Sequence, residues 1–295
     1  MPGQGKGSGY RRRGYDGAFQ GVMAGGVVDE RVRPEQWFGD FDVPVNTTLH
    51  WHVGPMVFWV HRGEMEWRLA TEATADPYDT TVELVRREET QPAEVTDSRI
   101  QRFLMRTDSP CLNLGVLLPD RPIVSRPVSP VSIPAGESVC FYLSYPLWVS
   151  VAVGKPGRKL TEFASHRLSD TWFGPNTQEG VLCYAVRTRC RLRLSDHSNV
   201  PNRAVTPLFI RNQSRDPLRL EKLQLPVATL SLYRSEEGGL LWTQSVTLVR
   251  EEDGDMAALR LGSGPPEEAG KAVLVAGPRE APQRNAVFRA FSALF

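Results

Sequence analysis

The sequence predicts an all-β protein of antiparallel β-sandwich architecture. Apolar and polar residues alternate in short runs from Trp37 onward, turn signals rich in Gly and Pro separate the runs, and helical periodicity is almost absent. Successive strands without intervening helices are typical of sandwiches and barrels. The strands fit either one large sandwich or two smaller ones. Because each half of the chain carries its own set of hairpins, we favour two packed sandwich domains, over 36–155 and 156–283.

The first domain begins with a meander of three short strands. Leu49, Trp51 and Val53 alternate with two histidines, and Gly54-Pro55 supplies the first turn signal. The same alternation follows that turn and is repeated after a second one. Further strands are expected over 81–87 and 100–106, on both sides of a tight turn within 131–142, and over 147–153.

The second domain continues the pattern with a long alternating strand over 181–194 and two hairpins with turns near 212–217 and 236–239. The remaining expected strands lie over 205–211, 218–223, 228–233, 240–250, 257–261 and 272–276.

The two ends of the chain depart from the strand pattern. Residues 1–35 are rich in glycine, and the first 14 carry four basic residues and no acid, which predicts a flexible tail. Residues 284–295 are expected to form a short amphipathic helix, because five apolar residues fall on one helical stripe. That helix either docks on the sheet or, through residues 285–295, contacts a membrane surface or a partner.

Composition excludes several classes of protein. The net charge of +1, from 35 basic and 34 acidic residues, argues against a general nucleic-acid binder. No apolar run reaches the ~18 residues of a transmembrane helix, and no signal-peptide pattern is present. The four cysteines form no C-x-x-C pair, so we expect free thiols in a soluble cytoplasmic protein.

Several segments resemble those of a known family. They are L-H-W-H-V-G-P-M-V-F-W-V-H-R from residue 49, I-P-A-G-E from 133, S-D-T-W-F-G-P-N-T-Q-E-G from 169, L-Q-L-P from 223 and A-G-P-R-E from 276. Together, over about residues 37–280, they resemble domain of unknown function 432, a prokaryotic family. The resemblance implies a bacterial or archaeal cytosolic protein and brings no established activity, so no catalytic residue is carried over.

A first candidate site is a histidine cluster on the predicted hairpin. His50 and His52 share one face of a strand. If Gly54-Pro55 closes a two-residue turn, His61 lies diagonally from His50 on that face, within reach of a shared metal, and Glu64 follows nearby. The same residues also fit a hydrated polar face, and a slip of one residue would move His61 to the opposite face.

A second candidate is a row of arginines on the strand over 181–194. Four guanidinium groups on one face, spaced by two residues, can bind phosphates or carboxylates. The alternative is that they are solvated or paired across strands with acids such as those at 251–253. The four residues are Arg187, Arg189, Arg191 and Arg193.

A third candidate is the turn that follows Asp170. Trp172 offers a stacking platform, and Asp170 with Glu179 supplies a pair of carboxylates. The alternative is a structural corner in which Asp170 caps the turn and the aromatic residues enter the core. As a binding site, this turn would belong to a pocket at the domain junction.

Two functions remain open from the sequence. The absence of recognisable catalytic motifs and the near-zero charge favour a non-enzymatic binding or accessory protein without a cofactor. Its partner would be a protein or a small anionic ligand held by the third candidate site or by the arginines. The alternative is a metal-dependent enzyme with one divalent ion at His50, His52 and His61.

Overall fold

A computed structural model describes residues 37–74, 76, 79–87, 100–106, 109–176, 178–188, 191–194, 200–251, 256–281 and 287–292. These residues form twenty-four strands and two short 3-10 helices, at Val227–Thr229 and Glu267–Ala269. The described part of the chain contains no α-helix, so the predicted all-β class is confirmed.

The first twelve strands are β1 (Gly39–Asp42), β2 (Thr47–Val53), β3 (Met56–Arg62), β4 (Glu66–Ala73), β5 (Val82–Arg87), β6 (Gln101–Leu104), β7 (Cys111–Leu117), β8 (Ile123–Pro127), β9 (Val131–Ile133), β10 (Ser138–Pro146), β11 (Trp148–Val153) and β12 (Arg158–Ala164). The others are β13 (Ser169–Phe173), β14 (Val181–Thr188), β15 (Arg203–Asn212), β16 (Leu218–Leu220), β17 (Lys222–Leu225), β18 (Leu232–Ser235), β19 (Leu241–Thr243), β20 (Val246–Arg250), β21 (Met256–Leu261), β22 (Ala272–Ala276), β23 (Val287–Arg289) and β24 (Phe291–Ser292).

Two antiparallel sheets form the first pair of layers. Sheet I has the strand order β5-β2-β3-β4-β6, and sheet II has the order β1-β7-β11-β12. Aromatic side chains join them: the rings of Phe41 and Trp51 lie 5.3 Å apart, and those of Phe58 and Phe163 lie 5.6 Å apart. Burial of such rings between two alternating strand faces is what holds the layers of a sandwich together.

Two further sheets are built from the rest of the chain. Sheet III has eight strands in the order β22-β18-β19-β15-β20-β21-β23, with β10 on the other edge of β15, and sheet IV has the order β13-β14-β8-β17-β24. A two-stranded ribbon pairs β16 with β9. Most pairs are antiparallel, but β14 with β8 and β15 with β19 and β20 are parallel.

The chain passes repeatedly between the first pair of sheets, I and II, and the second pair, III and IV. β10 pairs with β15 along all of Ser138–Pro146, whereas β12 returns to pair with β11 in sheet II. The expected domain boundary near residue 155 therefore falls within the turn of the β11–β12 hairpin. One buried apolar core contains residues from all four sheets, from Trp37 to Phe291.

The expected C-terminal helix over 284–295 is wrong for residues 287–292. β23 pairs with β21 at the edge of sheet III, and β24 pairs with β17 at the edge of sheet IV. Phe291 is buried in the core rather than presented on an outer stripe. Two open sheet edges provided hydrogen bonds that the short helix could not match, since a helix of ~11 residues is marginal alone.

Candidate functional site

A polar pocket opens where sheets II and IV meet. We call it the junction pocket and define it by Arg121, Trp148, Arg167, Asp170 and Tyr184. Its volume is about 610 Å³, within the range of small-molecule sites. Its walls come from the β7–β8 connection, the start of β11, the β12–β13 connection and the paired strands β13 and β14. Two hairpins, β11–β12 and β13–β14, meet the β7–β8 connection here, so only the tertiary fold assembles the pocket.

Arg121 is the best-anchored cation of the junction pocket. Its Nη1 donates to Asp170 Oδ1 at 3.3 Å, and its Nε lies 3.8 Å from Asp120 Oδ2. The guanidinium carbon sits 5.4 Å from the centre of the Tyr184 ring. A cation over an aromatic face gains electrostatic attraction, and its orientation is fixed in advance of any ligand.

Tyr184 forms an aromatic wall with a neutral hydroxyl. Its hydroxyl donates to Asp120 Oδ1 at 2.9 Å, and its ring lies 5.2 Å from the buried Trp148 ring. Burial, followed by the hydrogen bond to Asp120, raises the pKa of Tyr184 to about 12. The hydroxyl therefore stays protonated near neutral pH and acts as a hydrogen-bond donor.

The remaining cation, Arg167, is exposed at the mouth of the pocket. Within the described chain it makes no ion pair, in contrast to Arg121. Two guanidinium groups, Arg121 and Arg167, face two carboxylates, because Asp120 contacts both Arg121 and Tyr184 beside the lining residue Asp170. The pocket thus combines an aromatic wall with two guanidinium groups, of which Arg121 is ion-paired.

The residues of the third predicted site, Asp170, Trp172 and Glu179, lie in different surroundings in the structure. Asp170 pairs with Tyr184 and lines the junction pocket, whereas Glu179 lies in the turn beyond the last strand pair, Phe173 with Val181. The expected carboxylate pair is therefore not formed. Trp172 is 43% exposed but does not line the pocket.

Trp172 instead closes the turn of the β13–β14 hairpin. Its Nε1 donates to the carbonyl oxygen of Asn176 at 2.9 Å, and the Asn176 side-chain oxygen accepts from the backbone N–H of Gln178 and of Glu179. The indole covers the backbone of Gly180 so closely that a Cβ there would lie 1.9 Å from Trp172 Nε1. The structural corner that the sequence left as an alternative is met only in part: Phe173 is buried, whereas Trp172 stays exposed and Asp170 pairs with Tyr184 within the strands.

The predicted row of arginines is not carried by one strand. β14 ends at Thr188, so the expected strand over 181–194 is too long. Arg187 lies at its exposed end, paired in register with Arg126 of β8. Arg191 forms an isolated bridge with Tyr142, Arg193 lies beyond it outside any strand, and Arg189 is outside the described residues.

The histidine hairpin has the register expected from Gly54-Pro55. His50 pairs with Trp59, and His61 pairs with Thr48 on the same face. The rings of His50 and Trp59 stack at 4.9 Å, and His61 Nδ1 lies 3.0 Å from Thr48 Oγ1. The register is fixed here because the Gly54-Pro55 turn and the burial of one strand face require the same pairing of residues.

His52 has a carboxylate partner that sequence reasoning missed. Its Nε2 lies 2.8 Å from Asp79 Oδ2, on the segment that leads into β5, while Glu64 is exposed in the β3–β4 turn. Among the residues that the structure describes, no group of three or more His, Cys, Asp or Glu side chains is placed to hold a metal ion. Whether the hairpin binds a metal stays a prediction.

Four of the five residues of the junction pocket were not singled out from the sequence as a site. The signal that could have found Arg121 is its place in P-D-R-P, a charged pair between two prolines in a short connection. Polar residues in such loops are frequent in binding sites because a rigid sheet holds the loop. No local pattern marks Trp148 or Tyr184, which alternate like other strand residues.

These features define an all-β protein with a polar pocket at the junction of two sheets. The chain belongs to the family described as Protein of unknown function (DUF432), which matches residues 37–295. The resemblance noted from the sequence is thereby confirmed. Comparison with curated proteins and with solved structures gave no match. No helix in the described ranges is long and apolar enough to cross a membrane.

Proposed function

We propose that this protein is a non-enzymatic binding or accessory protein that holds a small anionic ligand, a carboxylate or a phosphate, in the junction pocket. The observation that carries the proposal is the convergence of Arg121 and Arg167 on one cavity with an aromatic wall. Guanidinium groups bind carboxylates and phosphates through two parallel N–H donors, and Arg121 is already oriented for this by Asp170 and Tyr184.

The protonation behaviour of the pocket supports binding rather than proton transfer. A general acid or base works best when its pKa lies near the operating pH. The pKa of Tyr184 is moved further from neutrality, to about 12, which makes its hydroxyl a poor general acid or base at neutral pH. Arginine likewise keeps its proton under all physiological conditions.

We further propose that the protein works in the cytoplasm of a prokaryote. Cys111, Cys140 and Cys183 are all free thiols, and free thiols are typical of a reducing compartment. Burial raises the pKa of Cys183, which keeps this thiol protonated and poorly reactive.

The test is a thermal-unfolding titration with inorganic phosphate and, separately, with succinate. A ligand that binds only the folded state raises its stability in proportion to the logarithm of ligand concentration above Kd. We expect at least one of the two anions to raise the Tm of the wild type. Arg167→Gln should remove most of that rise, because it deletes one of the two guanidinium groups of the pocket. The substitution breaks no ion pair within the described chain.

Arg215→Gln is the matched control, since Arg215 is an exposed arginine in the β15–β16 turn that does not line the pocket. An equal rise of Tm in wild type and Arg167→Gln would contradict the proposal. So would turnover of a substrate, or the absence of any anion adduct in native mass spectrometry of protein isolated from its own cells together with no stabilisation by either probe.

A further inference from the structure

We propose that a second pocket, at the tip of the β11–β12 hairpin, binds an organic anion that carries a flat apolar group. We call it the hairpin-tip pocket. It lies between the two layers of the first sheet pair, with a volume of about 800 Å³. Its walls come from β1, the start of β7 and the hairpin tip on one side, and from Trp67 and Met105 on the other.

One side of the hairpin-tip pocket is apolar and held in place. Phe41 is half-buried, and its ring packs edge-on against Trp51 at 5.3 Å, so its exposed side faces the cavity from a fixed position. Met105 lines the opposite wall, and its backbone N–H donates to the Met65 carbonyl oxygen at 2.8 Å. A fixed aromatic ring on one wall and a thioether on the other suit a planar apolar group, which can stack on the ring.

The rim of the pocket is positively charged. Arg106, Lys155 and Arg158 line it, and none of these three side chains makes an ion pair with another described residue. They face the carboxylates of Asp40 and Asp42, of which Asp40 already accepts a hydrogen bond from Asn113 Nδ2 at 2.7 Å. Three cations against two carboxylates leave the rim with an excess positive charge, which attracts anions.

The hairpin anchors the backbone that carries two of these cations. The backbone N–H of Gly154 donates to the Cys111 carbonyl oxygen at 2.9 Å, which ties the tip to β7. Gly154 has φ of +83°, a conformation that favours glycine, and the turn it permits carries Lys155 and Arg158 to the rim. Cations on an anchored turn lose less freedom when they bind a ligand.

The combination selects one class of ligand. A bare inorganic anion would leave the apolar wall and most of 800 Å³ uncovered, and an uncharged apolar molecule would leave the excess positive charge of the rim uncompensated. Pockets of this size bind drug-sized molecules through an apolar surface with a few polar groups at defined positions. An amphipathic organic anion can cover the apolar wall and compensate the charge of the rim. This site shares no lining residue with the junction pocket, so each can be tested without the other.

The probe is 8-anilinonaphthalene-1-sulfonate, a flat aromatic sulfonate whose fluorescence rises in an apolar site. Titration of the full chain should give saturable binding of one molecule. The double substitution Lys155→Gln/Arg158→Gln should raise Kd by about fivefold or more, since charge-assisted contacts to the sulfonate are lost. N-phenyl-1-naphthylamine, which lacks the sulfonate, should bind more weakly to the wild type and should be insensitive to the double substitution.

The control is Arg215→Gln/Lys271→Gln, which removes the same two types of cation from exposed positions outside the pocket. It should leave Kd unchanged. The proposal is overturned if Kd is the same in the wild type and in Lys155→Gln/Arg158→Gln while circular dichroism shows both to be folded. It is also overturned if the uncharged probe binds as tightly as the sulfonate, which would indicate apolar adhesion alone.

Discussion

Arg279 and Glu162 form an ion pair that joins two distant parts of the chain. Arg279 Nη2 donates to Glu162 Oε1, and Arg279 Nε donates to the Leu118 carbonyl oxygen at 2.6 Å. Both side chains are largely buried, with 20% and 14% of their surface exposed. Arg279 stands in the A-G-P-R-E segment, which packs beside the 3-10 helix at Val227–Thr229 through two backbone hydrogen bonds to the Ala228 carbonyl oxygen. One guanidinium therefore attaches this segment to sheet II.

Substitution of Arg279 should destabilise the fold. Arg279→Ala leaves the Leu118 carbonyl and one side of the Glu162 carboxylate without a donor, so we expect a loss of about 1–3 kcal/mol in the free energy of unfolding. Arg279→Lys keeps the positive charge but loses the forked pair of donors, so its free energy of unfolding should lie between those of the wild type and Arg279→Ala. Urea denaturation measures the difference. Equal midpoints for wild type and Arg279→Ala would refute the structural role.

The same pair predicts a pH dependence. Burial, the largest single influence, raises the pKa of Glu162, but hydrogen bonds from Arg279 and Lys159 together bring this pKa below the ordinary 4.5. Because the folded-state pKa is depressed, the carboxylate stabilises the fold above the unfolded pKa, and this contribution is lost as pH falls through the folded pKa.

We therefore expect the free energy of unfolding to fall below about pH 4.5 in the wild type, and to fall less steeply in Glu162→Gln. Urea denaturation at a series of pH values makes this measurement. Glu280→Gln serves as the control, because Glu280 is an exposed neighbour of Arg279 in sequence. If Glu162→Gln and Glu280→Gln have the same pH slope as the wild type, the ion pair is energetically silent.

A third prediction concerns the β13–β14 turn. Gly180→Ala places a methyl group where the Trp172 indole now lies, 1.9 Å from Nε1, so the indole must move and lose its bond to Asn176. We expect a clear loss of Tm in Gly180→Ala. In a Trp172→Ala background the same substitution should cost much less, because the clash is gone. A double-mutant cycle gives the coupling, and additive effects would show that the two residues do not interact.

A fourth prediction concerns metals. His52 and His61 each direct a ring nitrogen to a protein partner, Asp79 and Thr48 respectively. We expect Zn²⁺ and Mn²⁺ to leave the Tm of the dialysed protein unchanged, because binding would have to replace these partners. Thermal unfolding with and without each metal measures the Tm, and native mass spectrometry with added metal measures binding. One metal per chain in the wild type, absent from His50→Ala/His52→Ala, would instead establish the metal site.

Local rules predicted local structure in this chain. The register of the β2–β3 hairpin followed from Gly54-Pro55 and the alternation on both sides, since the turn and the buried face demand the same pairing. The all-β class followed from the same alternation over the whole chain. Neither prediction required knowledge of any distant contact.

Pairing between strands that are distant in the sequence determined the features that local patterns did not predict. Residues 287–292 have helical spacing of apolar side chains, but the unpaired edges of β21 and β17 recruit them as strands. The strand that was expected to continue to Leu194 stops at Thr188. Likewise, Arg121 and Tyr184 meet only because β14 pairs with β8 in parallel, a relationship that no local pattern encodes.

The passage of the chain between its two halves has a consequence for synthesis on the ribosome. Sheets I and II are complete once Ala164 has emerged, yet β10, made earlier, waits for β15, which begins at Arg203. At about 5–20 residues per second, that interval lasts a few seconds. Throughout it, the apolar edge strand β10 is available to any neighbouring nascent chain or chaperone, so heat shock or overexpression should favour aggregation through this strand.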